Sequence, residues 1–135
     1  MIARLALAAF LVAHAGIHAS FVSPRPPVTA GGPAWPFELG RSWLLTPLGV
    51  GPELSRLLGI ALIAATISGF ALAAVGTLGV APAAAWTAGA SLGAIASLAL
   101  LILFFHPWLV LGIAIDLGLL WAALVADWGP EALGT

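Results

Sequence analysis

Four stretches of this chain are long and apolar enough to cross a lipid bilayer, and no other feature constrains its fold as strongly. A spanning helix needs about 20 predominantly apolar residues. Residues 5–22 (LALAAFLVAHAGIHASFV) supply the first, interrupted only by His14 and His18. Residues 57–79 and 83–105 supply two more without a charged side chain, and residues 108–126 supply a fourth that holds the single acid Asp116. Composition agrees. Of 135 residues, 62% are hydrophobic and 7% charged, whereas a soluble domain carries about 25% charged residues.

The connectors set the arrangement. Pro82 sits between the second and third spans, and His106-Pro107 between the third and fourth. Proline removes a backbone donor and disfavours helix in the residue before it, so both are breaks. Links this short make consecutive helices antiparallel neighbours. In lipid each backbone must satisfy its own hydrogen bonds, which leaves helices as the spanning form. The expectation is an all-α membrane protein, with four transmembrane helices in an antiparallel bundle forming one domain over residues 1–135.

The first span has a rival reading. Arg4, an apolar run and the small-residue pattern Ala13-His14-Ala15 resemble a secretory signal peptide. Its marks are weakly matched, with one basic residue ahead of the run, so a retained helix is expected.

Residues 23–53 form a long loop between helices one and two. It opens on Ser23-Pro24-Arg25-Pro26-Pro27 and carries Trp35, Phe37 and Trp43. A loop of this length in so small a bundle is either functional or loosely ordered. Its middle, FELGRSWLL, mixes apolar with charged residues and suits a membrane surface. The plainer expectation is a connector with aromatic anchors at the interface.

Several function classes fall away. A net charge of −1 and four arginines without a lysine give no basic footprint for nucleic acid. The absence of cysteine removes disulfides and thiolate metal sites. No phosphate loop, zincin motif or kinase element is present. Ser97, His14 and Asp116 supply the side chains of a catalytic triad, but a triad is known by geometry and nothing builds an oxyanion hole, so an enzyme is not expected.

Orientation is pulled two ways. Counting arginines places Arg25, Arg41 and Arg56, and with them the long loop, in the cytoplasm. The first helix usually dominates, which favours both termini inside, and that orientation is adopted.

The polar residues inside the spans carry the chemistry. An intramembrane ionisable group costs about 2.5–3.5 kcal/mol on insertion scales, so it turns inward and finds a partner. Counting about 1.5 Å per residue from the face where helix one ends puts His14 about 12 Å deep, Asp116 about 13 Å, Ser97 about 12 Å and His18 about 6 Å. Three helices thus bring polar groups to one level. Gly89, Gly93 and Ser97 form a small-residue stripe on helix three, with Gly112 and Asp116 on helix four and Gly59, Thr66, Gly69 and Gly76 on helix two. Such stripes let helices approach closely.

His14 and His18, one turn apart, are suited to bind a metal ion, with Asp116 as third ligand or as an acceptor that orients an imidazole. His106 joins them only if the site lies near the surface. Haem is disfavoured, because axial histidines must approach from opposite sides. A proton shared by His14 and Asp116 is the second reading. Mutual satisfaction that only specifies packing is the third.

The pair His14-Ala15-Gly16-Ile17-His18, the glycine-rich second helix entered through Arg56-Leu57-Leu58-Gly59, and Asp116 midway along the fourth together resemble a diffuse group of small bacterial four-helix membrane proteins of uncharacterised function. That resemblance implies the bacterial inner membrane and brings no chemistry with it. The function expected is an accessory or structural subunit of a larger membrane complex, with lipid and other membrane chains or copies of itself as partners. A proton-coupled carrier of a small molecule, or a metal- or cofactor-binding membrane protein or enzyme that uses the intramembrane His/Asp cluster, is the alternative.

Overall fold

A computed structural model describes residues 1–23, 30–31 and 37–134. Among these the chain is helical without a strand, and four helical segments are long and apolar enough to cross a membrane. Helix α1 runs Ile2–Ala19 and continues as a 3-10 turn, Ser20–Val22. Helix α2 runs Pro52–Thr77, α3 runs Ala84–Leu103, and α4 runs Val110–Leu120.

The ends of the helices show why the chain folds locally as it does. α2 starts five residues before the expected position. Gly51 is its extended N-cap, Pro52 takes the first helical position, and Glu53 stands in the first turn. Proline is preorganised there and an acid complements the positive helix end. α2 stops in a Schellman motif: Val80 N–H donates to the Val75 carbonyl (3.2 Å) and Gly79 N–H to Gly76 (3.0 Å). Gly79 has φ +74°, a conformation that favours glycine.

The fourth span, Pro107–Val125, matches the expected 108–126 in extent but is not α-helical throughout. It opens as a 3-10 turn, Pro107–Leu109, and ends as a π turn, Trp121–Val125. His106 is extended ahead of its proline (φ −141°, ψ 145°), as steric conflict with the proline ring requires.

The described end of the loop, residues 37–51, packs down onto the end of α3. Ser42 Oγ donates to the Leu103 carbonyl, and Trp43 Nε1 donates to the Ile102 carbonyl (2.6 Å). These are carbonyls that a helix C-terminus leaves unpaired. The Leu44 and Leu45 N–H groups donate back to Ser42 Oγ (3.2 and 3.0 Å). Leu39 and Ser42 of the FELGRSWLL segment are buried against the bundle, while Arg41 and Trp43 are exposed. The expectations placed on Pro24, Arg25, Pro26, Pro27 and Trp35 lie outside the described residues.

Glycine brings α2 and α3 together. A Cβ added at Gly69 would lie 2.6 Å from Gly93 Cα, one at Gly89 2.6 Å from the Gly69 carbonyl oxygen, and one at Gly76 2.6 Å from Trp86 N. These approaches run in reverse order along the two helices. Between α3 and the chain from α4 onward the order is also reversed, from Leu101 beside Gly112 through Ser97 with Asp116 to Trp86 with Trp128, which follows the π turn. Gly59 serves differently from the rest of its stripe, since its neighbours are Leu39 of the loop and Phe104.

α1 packs on α2, and α4 packs on α3. Two apolar cores result. One gathers Leu11, Phe70, Trp86, Ala90, Ala94 and Leu119. The other gathers Phe21, Leu39, Ile63, Leu100, Phe104 and Leu109. Between them, α1, α3 and α4 each present polar residues to the interior.

Candidate functional site

His14, His18, Ser97 and Asp116 meet in the gap between the two cores, and all four are buried, Ser97 and Asp116 completely. His14 and His18 are one helical turn apart, so both rings leave α1 on the same face. Their centroids are 4.8 Å apart and nearly perpendicular. Phe70 of α2 lies against both rings, at 5.1 and 6.4 Å. Ser97 arrives one turn beyond Gly93, where α2 and α3 approach most closely, and Asp116 one turn beyond Gly112.

Four hydrogen bonds connect the group. His14 Nε2 faces Asp116 Oδ1 at 2.9 Å. Ser97 Oγ donates to Asp116 Oδ2 and also meets His18 Nε2, the latter at 2.6 Å. His18 Nδ1 lies 2.9 Å from the carbonyl oxygen of His14. A carbonyl only accepts, so Nδ1 of His18 carries a proton, and a neutral His18 turns a bare Nε2 toward Ser97.

Proton bookkeeping follows from these contacts. Three side-chain contacts need one proton each. His14 Nε2–H supplies the first and the Ser97 hydroxyl a second. The two contacts of Ser97 share one hydroxyl hydrogen, so the third proton must sit on His18 Nε2 or on Asp116 Oδ2. In either form the group is electrically neutral, as a carboxylate with an imidazolium or as a carboxyl with neutral rings. Without that proton it carries one negative charge among apolar helices, which is costly.

A metal ion fits less well. Ligand atoms of His14, His18 and Asp116 lie within 4.8 Å of one another. These atoms are already directed at hydrogen-bonding partners at 2.6–2.9 Å. A divalent ion on this donor set would leave one uncompensated positive charge in the bundle, whereas a single proton leaves none. Haem is disfavoured for the geometric reason already given, since both imidazoles stand on one face of α1. His106 lies outside the group. Half-buried at the turn, it accepts the Trp108 N–H through Nδ1 (3.2 Å) and stands edge-on to the Trp108 ring.

The triad reading fails on connectivity. In a serine nucleophile site the histidine stands between serine and acid. Here Ser97 stands between His18 and Asp116, and it is sealed from solvent.

Depth counting brings out the four polar residues but not their aromatic surroundings, because a phenylalanine inside a span reads as ordinary core. Phe70, Phe21 and Phe10 all lie against the imidazoles, and Phe21 stacks on His18 (6.3 Å, 14°). Thr66, also on a small-residue stripe, is fully buried, and its hydroxyl has no hydrogen-bond partner among the described residues. Thr66→Val should therefore leave stability unchanged or raise it by up to about 1 kcal/mol, because it removes an unsatisfied polar group at constant shape. Thermal unfolding in detergent would check this; a clear loss would mean that the hydroxyl has a partner in the membrane.

No protein-family model, curated protein or solved structure matches this chain.

Proposed function

We propose that this chain is a small polytopic protein of the bacterial inner membrane that holds and relays a proton as a subunit of a larger membrane assembly. The single hydroxyl hydrogen of Ser97, serving two acceptors, carries this reading. It makes one further proton part of the group and gives that proton two resting places. Passage between them is balanced: Asp116 Oδ2–H passes to Ser97 Oγ while the Ser97 hydrogen passes to His18 Nε2. A carboxyl and a neutral ring become a carboxylate and an imidazolium, with no atom displaced beyond a hydrogen bond.

A subunit is favoured over a self-contained carrier by the space available. A carrier requires a wet cavity reaching Asp116. The hollow that touches His14 and His18 measures about 130 Å³ and is walled otherwise by apolar side chains. Bulky apolar residues cover the outer face of α4, with Leu111, Leu117, Trp121 and Leu124 exposed. That face suits lipid or a partner chain.

Infrared spectra of the protein in lipid, compared in H2O and D2O for wild type and Asp116→Asn, test the proposal. A deuterium-sensitive carboxyl or imidazolium band that disappears in the variant is expected. Bands showing an ionised Asp116 beside two neutral imidazoles would sink it and leave a packing role. Chains that co-purify in mild detergent would identify the assembly.

For orientation, both termini are placed in the cytoplasm. The natural chain has no cysteine, so Leu48→Cys, Val80→Cys and Ala132→Cys each introduce a sole thiol. Impermeant reagent should reach Leu48→Cys from outside and the other two only from inside. Labelling of Leu48→Cys and Val80→Cys from the same side would contradict four crossings.

A further inference from the structure

The buried group needs a path to water if its proton is to be exchanged, and two hollows lie near it. The first, about 130 Å³, runs between α1 and α4 and touches the rings of His14 and His18. Its walls are otherwise apolar, and it is partly open on the outside of the bundle, where Ile17, Trp108 and Leu111 are exposed, so it faces lipid rather than water. The second, about 390 Å³, opens at the end of α1 beneath residues 37–40. Glu38 and Arg56, both exposed, line it, so it is hydrated. Phe21 lines both hollows.

The position of Phe21 gives this shared lining a meaning. The residue is 3% exposed. Its ring is stacked on His18 (centroids 6.3 Å, 14°) and meets Phe37 of the loop edge-on (4.5 Å, 62°). An aromatic column thus runs from the buried group through Phe21 to the hydrated pocket. Phe21 also belongs to the 3-10 turn, Ser20–Val22, and not to α1 itself. Such terminal turns have poorer hydrogen-bond geometry and open at lower cost than helix interiors. The ring can swing aside without disturbing the helix that holds His14 and His18.

We propose that Phe21 is the plug of a water-access route that joins the Glu38/Arg56 pocket to His18. When the ring moves, the hydrated pocket and the dry hollow become continuous, and water reaches the imidazole from that face alone. As a proton route this rests on the reading given above; as a route for water it stands by itself.

Deuterium exchange at the imidazole C2 position, followed by mass spectrometry on the full chain in lipid nanodiscs, reads access to each histidine separately. His106, half-buried at the turn, is the internal reference. In the wild type His18 should exchange about tenfold or more slowly than His106, as expected for a group reached only by local opening. Phe21→Ala should raise the His18 rate about tenfold, because the opening step is removed. Phe10→Ala is the control, since Phe10 stacks on His14 (6.1 Å) from a more exposed position on α1; it should leave the His18 rate unchanged. Phe37→Ala, which frees the plug from above and leaves no gap beside His18, should also raise the rate and serves where Phe21→Ala does not fold. An unchanged His18 rate in the Phe21 and Phe37 variants, or an equal rise in Phe10→Ala, would overturn the route. If Phe21→Ala exposes His18 while no Asp116-dependent exchangeable proton is found, the route stands and the proton reading falls. If that proton is present and the plug variants leave His18 protected, the route falls alone.

Discussion

Gly89→Ala should cost about 3 kcal/mol of stability, the upper part of the usual overpacking range, and Gly89→Leu should leave no folded protein in detergent. The reason is what the new atom would meet. A Cβ at Gly89 would stand 2.6 Å from the Gly69 carbonyl oxygen and 3.0 Å from Ala73 Cα. Both are backbone atoms, so no side chain can rotate away and the two helices must separate. Separation would also break the functional group, because Ser97 is carried on α3 two turns beyond Gly89. Gly16 and Gly118 are the controls, since a Cβ at either finds nothing within 4 Å. Alanine there should be neutral or stabilising by about 0.5–1 kcal/mol through reduced backbone freedom. Thermal or detergent-induced unfolding of the three alanine variants would separate close packing from mere helix propensity. Equal stability of Gly89→Ala and Gly16→Ala would mean that α2 and α3 are not in backbone contact.

The four helices long and apolar enough to cross a membrane are legible in the sequence because hydropathy over about 20 residues is a strong and local signal. Their ends are less so, and for identifiable reasons. α2 begins in a polar turn containing Pro52, Glu53 and Arg56, which hydropathy discounts although its capping chemistry is favourable. The π turn at Trp121–Val125 has no signature in an apolar run. The seat of Ser42 under the end of α3 depends on where the chain returns in space, and nothing local encodes that. At the polar centre, counting residues along each helix puts His14, Ser97 and Asp116 at one level. It does not give the rotation of each helix about its axis. Rotation decides that Ser97, rather than His14, stands between two partners, and the close approach through Gly69, Gly89 and Gly93 contributes to fixing it.

Asp116→Leu should destabilise the protein by about 3 kcal/mol, whereas Asp116→Asn should cost no more than about 1 kcal/mol. The difference follows from the hydrogens. Leucine strands the Nε2–H of His14, a buried donor left without an acceptor. Asparagine reproduces the protonated form of the acid: its carbonyl oxygen accepts from His14, and its amide donates to Ser97 Oγ. The serine hydroxyl is then free to donate to His18 Nε2. Every contact is satisfied with no exchangeable proton left over. The pair His14→Leu and Asp116→Leu made together should also fold well, because a buried polar pair often breaks even against apolar packing. It leaves Ser97 and His18 satisfied by one hydroxyl hydrogen. Stability alone therefore groups Asp116→Asn with the double variant and sets both apart from Asp116→Leu and His14→Leu. Function divides them otherwise, since a proton relay is lost in the three that remove the Asp116 carboxyl and not in His14→Leu, which keeps Asp116, Ser97 and His18, while a packing tie survives in the two stable ones. Unfolding midpoints for the set, measured beside the deuterium-sensitive infrared band, would distinguish the two. Full stability in Asp116→Leu would show that His14 finds another acceptor and that the hydrogen-bond chain drawn from the structure is wrong.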